Sequence, residues 1–179
     1  MVALVLAVAA LVTGLLVGRG GSGDAKAVAH VGGDEITKRQ LDAVVEHFRL
    51  EAKEEGTTFP AEGSSAFQRI QRRLVGLLVY RAELRQAARR LGVEVSRVQV
   101  LKRMGASSGE EETGRDAFDY GSAEAQLLYE AIFRKVTRGV TAPTRAELAA
   151  RRNEAMSRYV GRVRRETKVR YEPGFGPGS

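Results

Sequence analysis

The sequence contains no cysteine, which excludes a disulfide framework and a thiolate metal site and leaves an oxidising compartment permitted without being indicated. Histidine is nearly absent too. His30 and His47 fall on different elements without neighbouring ligands, which argues against zinc. There is no G-x-S-x-G elbow, and the glycines near the amino end lack the G-x-x-x-x-G-K-S/T spacing that cradles phosphate. The run Glu110-Glu111-Glu112 has no further oxygen ligands beside it, while a hard cation takes six or more, so it reads as solvated. No catalytic residue, metal or cofactor is expected.

What is present is a chain of 179 residues, 43% hydrophobic, enough for one domain with a real core plus appendages. The net charge of +7 suits nucleic acid, an anionic membrane surface or acidic polypeptide, and its sign alone does not choose among them. Arg145, Arg151, Arg152, Arg158, Arg162, Arg164 and Arg165 crowd the last predicted helix. They are spread around several of its sides and interleaved with Glu147, Glu154 and Glu166, so a solvated surface is expected there and no nucleic-acid partner.

Val2 to Val17 carries no charge and is almost all Val, Leu and Ala. As a helix it would reach about 24 Å, slightly short of a ~30 Å hydrocarbon core. Its length leaves an uncleaved anchor and a cleaved signal peptide both open, the anchor being the expectation. Gly18 to Gly23 reads as a flexible tether, so residues 1–23 form an anchor and tether and 24–179 the folded domain. Arg19 and Lys26 follow the apolar run and no basic residue precedes it, which by the positive-inside rule opposes export. The expectation is a true start further upstream carrying basic residues.

Val28 to Val31 alternates as a strand does, and Gly32-Gly33 supplies a turn. Thr37 with Gln40 makes a capping box, after which Leu41, Val44, Val45, Phe48 and Ala52 recur at helical spacing up to Gly56. Phe59-Pro60 sits in a loop. Ser65 with Gln68 predicts a second box opening a long helix through Phe67, Ile70, Leu74, Leu77, Leu78, Leu84 and Ala88 to Gly92, the spine of the domain. Ser96 and Gln99 open a short helix, and a mobile loop is expected near 105–121. A further helix is expected over Ala123–Arg138, with Leu127, Leu128, Ala131 and Val136 inward, and a last one from Thr144. Lys168 to Tyr171 alternates as a strand, and it should pair with Val28 to Val31 because neither is stable alone. The fold class is therefore mainly α, with a small two-stranded β element joining the chain ends.

Val28 to Thr37, Leu78-Val79 with Leu84, Ala88 and Leu91 to Ser96, Leu127-Leu128-Tyr129 with Lys135 to Thr141, and Lys168 to Phe175 resemble, in this order, the amino-terminal chaperone domain of SurA-type and related parvulin-containing foldases. Glu83 departs from the pattern where an apolar residue is usual. Val140-Thr141 runs almost directly into the last helix, leaving no place there for a parvulin domain, so prolyl isomerase activity is carried over to no residue. The resemblance implies an extracytoplasmic chaperone for unfolded or extended polypeptide; the apolar run adds the expected membrane tether, and without a parvulin domain no enzyme is expected. An envelope scaffold for one partner is the first alternative, and a basic nucleic-acid-binding protein the second. Phe59, Phe67, Tyr80, Tyr120 and Tyr129 are the candidate client contacts, as aromatics in loops or off the main apolar face.

Overall fold

A computed structural model of the chain describes residues 26–105 and 114–177, and within the second stretch the side chains from 118 onward. The expected anchor and tether and the Glu110–Glu112 run lie outside the described residues. The element order is β1 (Ala27–Val31), β2 (Asp34–Thr37), α1 (Lys38–Glu54), α2 (Ser65–Leu91), α3 (Arg97–Met104), α4 (Gly114–Val136), α5 (Arg145–Glu166) and β3 (Val169–Tyr171).

The chain ends meet as the two alternating runs predict, but the sheet has three strands rather than two, in the order β2-β1-β3. Asp34 to Thr37, which reads as a lead into the first helix, returns along β1 as its antiparallel partner. Gly32, with φ at +57°, makes that reversal in a conformation few side chains tolerate. On the other edge Ala29 faces Tyr171 and Val31 faces Val169. Glu172 N–H donates to Val28 O at 3.0 Å and Gly32 N–H to Lys168 O at 2.8 Å, extending the ladder at both ends. The central strand thereby has both backbone edges satisfied, and Val28, Ala29 and Val31 are buried.

Thr37 and Ser96 cap α1 and α3 through reciprocal boxes with Gln40 and Gln99. At α2 the cap shifts by one residue: Ser64, not Ser65, accepts from Phe67 N–H at 3.1 Å. Both serines carry the same group, and the sequence alone does not separate them. Gly92 ends α2 in the left-handed conformation, as the glycine after the periodic run predicts. The largest departure lies in the fourth helix, which begins at Gly114 and so occupies much of the loop expected near 105–121.

Helix α2 is the spine. Its first half joins the sheet and α1 around Leu41, Val45, Val75 and Val79, and its second half joins α4 and α5 around Leu84, Ala88, Ile132, Met156 and Val163. Ile132 is completely buried although it is not among the residues expected inward on its helix. Tyr159 reaches from α5 to donate to Ala87 O at 2.9 Å, and its burial pushes the phenol pKa above the usual value of 10.0. Glu83 is mostly covered and meets Arg164 Nε at 3.2 Å, so the departure from an apolar residue is met by an ion pair to α5.

Among the described residues one charge lies inside. Arg81 is 6% exposed; its Nη2 donates to Ser122 Oγ at 2.6 Å and to Phe118 O at 3.4 Å, and its guanidinium lies 4.7 Å from the Phe118 ring centre. Burial lowers its pKa from the usual arginine value, while Glu124 and Asp119 act in the opposite sense. Gly121 makes room for it: a Cβ there would stand 2.6 Å from Arg81 Nη1. No helix among the described residues is long and apolar enough to cross a membrane.

Candidate functional site

The end of α1 and the beginning of α2 diverge around the Phe59-Pro60 loop. After Glu55 the chain reverses at Gly56, with φ at +68°, and Thr57 folds back so that its N–H and hydroxyl both donate to Ala52 O, at 2.8 and 3.1 Å. This turn holds the loop to one side instead of across the helices. An open groove of about 370 Å³ results, walled by Phe48 and Ala52 of α1, Phe59 of the loop, and Ile70 and Leu74 of α2. Phe48, Ala52, Phe59 and Ile70 are half-buried, so their apolar faces are shared between the core and solvent. Exposed Glu51 and Glu55 form the lip on the α1 side, and exposed Arg73 the lip on the α2 side.

Phe59 is fixed from two directions. Its ring lies edge-on to Phe67 at 6.2 Å between centres, and the Arg49 guanidinium stands 5.8 Å from its centre. Arg49 is itself held by Glu62 at 2.8 Å and Glu46 at 3.0 Å, and the bond to Glu62, more than either charge, raises its pKa. A rigid aromatic wall suits transient apolar contact because little side-chain freedom remains to be lost when a partner arrives.

The five aromatics expected to contact a partner do not form one surface. Phe59 lines the groove, whereas Phe67 lies beneath it, 7% exposed, as part of the core. Tyr80 and Tyr129 share a second, smaller groove of about 310 Å³ with Ala125, Gln126 and Glu130. There Tyr129 is 40% exposed and stacked on Phe133 at 6.3 Å, while burial raises the pKa of Tyr80. Tyr120 stands apart on α4, not in a loop, with Arg97 5.9 Å from its ring centre. The residues that carry the main groove beside Phe59 belong to helical faces that read as core. Their sequence signal is an aromatic-proline loop joining two apolar helix faces that each run to its edge.

The SurA-like N-terminal domain model matches residues 1–116 of the chain. The chain belongs to this family. No curated protein matches it, and no solved structure does. The family is a chaperone-type one. The match to the SurA-like domain covers the sheet's first hairpin, α1, α2 and α3, and therefore both helical walls of the groove. It ends inside α4. The rest of α4 with α5 and β3 completes the same fold around the SurA-like part, through the second core cluster and the β1–β3 ladder.

Proposed function

We propose that this SurA-like chain is a chaperone that binds unfolded or extended polypeptide and does no covalent chemistry on it. The open apolar groove between α1, the Phe59 loop and α2 supports this reading most. Burying the apolar part of a client there gains about 25 cal/mol per Å², against which the ordering of the client must be set. Binding is therefore weak and tolerant of sequence. The second groove, around Tyr80 and Tyr129, offers a further aromatic contact of the same kind. Thr137 to Thr144 joins α4 to α5, too few residues to hold a folded domain between them.

In this reading the apolar run from Val2 to Val17 holds the protein at a membrane, with the SurA-like domain outside the cytoplasm among newly exported chains. Light scattering of an aggregating unfolded client, with increasing amounts of the chain, tests the chaperone activity. Scattering should fall, and Ala52→Arg, which fills the groove from its α1 wall, should weaken the effect. Unchanged aggregation at a clear molar excess would defeat the proposal. A proline-limited refolding assay should show no acceleration.

A further inference from the structure

On the far side of Arg73 from the apolar groove, α2 carries a second depression of about 290 Å³, lined by Arg69, Arg72, Arg73, Gly76, Tyr171 and Pro177. At ~100° per residue these α2 positions fall on one side of the helix, adjacent to the side that presents Ile70 and Leu74. Gly76 has no side chain, and a Cβ there would meet nothing within 4 Å, so the helix itself forms the floor of the notch. Arg69 and Arg73 are exposed and Arg72 is half-buried. No carboxylate among the described residues pairs with any of the three, although most other arginines of α2, namely Arg85, Arg89 and Arg90, each hold one.

Arg73 lines both the notch and the apolar groove, so the two adjoin at it. The opposite lip of the groove is acidic, formed by Glu51 and Glu55. A polypeptide lying across the groove thus meets negative charge on the α1 side and, on the α2 side, three guanidinium groups that no carboxylate among the described residues pairs with. We infer that the preferred client is an extended segment with an apolar or aromatic residue seated in the groove and carboxylates a few positions away, placed in the Arg69–Arg72–Arg73 notch. This rests on the chaperone reading and adds to it a preference for acidic clients. The planar fork of each guanidinium donates two hydrogen bonds to a carboxylate, whereas Tyr171 and the arginine stems offer apolar contact to the chain between.

The test uses two fluorescent peptides with the same aromatic residues, one flanked by glutamates and the other by glutamines at the same positions, titrated with the full chain and read by anisotropy. At low salt the glutamate peptide should bind about fivefold tighter, the sum expected of a few exposed charge pairs, and salt should erode the difference. The triple variant R69Q/R72Q/R73Q should bind both peptides with the affinity of the glutamine peptide. The triple lysine variant should retain a preference. Equal binding of the two peptides by the unaltered chain, or a preference that survives the glutamine variant, would overturn the inference and leave the chaperone reading standing. No binding of either peptide would remove both. Vesicles of anionic lipid form a third arm: loss of vesicle binding in the glutamine variant, with the peptides indifferent to it, would overturn the inference and assign the notch to a membrane surface.

Discussion

Ile132→Ala tests whether the helices beyond the SurA-like match fold as one unit with the rest. Ile132 is 0% exposed within the cluster formed by α2, α4 and α5. The substitution removes three carbons, worth roughly 2.4 kcal/mol at ~0.8 each, before any penalty for the cavity left behind. With that penalty, core truncations of this kind cost about 2–5 kcal/mol, and a loss near 3 is expected. With a urea dependence of ~2 kcal/mol/M the midpoint should fall by ~1.5 M. Far-ultraviolet circular dichroism and tyrosine fluorescence should shift together, because α2 runs through both core clusters and transmits the loss. Val98→Ala, at a position 69% exposed, should stay within about 0.5 kcal/mol of the parent. A loss below 1 kcal/mol, or separate transitions for the two probes, would refute the continuous core.

Three further outcomes are expected. Gly121→Ala brings a Cβ to within 2.6 Å of Arg81 Nη1 and should cost about 1–3 kcal/mol by overpacking, with much of it recovered in the Arg81→Ala background; additive losses in the double-mutant cycle would contradict the close approach. Stability should hold up to about pH 10 and fall above it, because burial raises the pKa of Tyr80, Tyr159 and Tyr171 from 10.0, so folding favours the neutral phenols and this contribution disappears as pH rises through the folded values. Tyr159→Phe should lessen that fall in urea titrations, and an unchanged slope would contradict it. His30 and Arg170 face each other in the β1–β3 ladder, and a cysteine pair there, in a chain with no other cysteine, should oxidise readily with Cα atoms about 5.5 Å apart; free thiols after oxidation would place the strands elsewhere.

The elements with repeated local signals are legible without the structure. Thr37-Gln40, Ser96-Gln99 and Gly92 each place a helix end because the residue that satisfies or reverses the backbone is named by its own chemistry. The meeting of β1 and β3 follows from two short runs that need partners. The third strand is hidden because Asp34-Glu35-Ile36-Thr37 is short, has two acidic residues and borders a helix cap, so only its pairing with β1 reveals it. Helix α4 is misplaced at its start because glycine, serine and acidic residues around its first turns carry loop chemistry, which tertiary packing on α1 and α2 overrides. Arg81 gives no hint of its burial, since its helix is arginine-rich and the glycine that admits it lies forty residues away. The groove is half legible: Phe59 marks it, whereas Phe48 and Ile70 look like any core stripe until the turn at Gly56 leaves them half-covered, with Leu74 buried at the groove's edge.

Site-specific photo-cross-linking to an unfolded client tests the groove most directly. Thr58 is exposed on the groove wall and Val98 is exposed on α3 away from it, so a photoreactive side chain at either should leave the core intact. The expected result is strong cross-linking of unfolded client from position 58, weak cross-linking from position 98, and loss of the former when the client is folded or Ala52→Arg is present. Equal cross-linking from both positions, or none from position 58 while aggregation is still suppressed, would contradict the assignment of the groove as the client-binding surface.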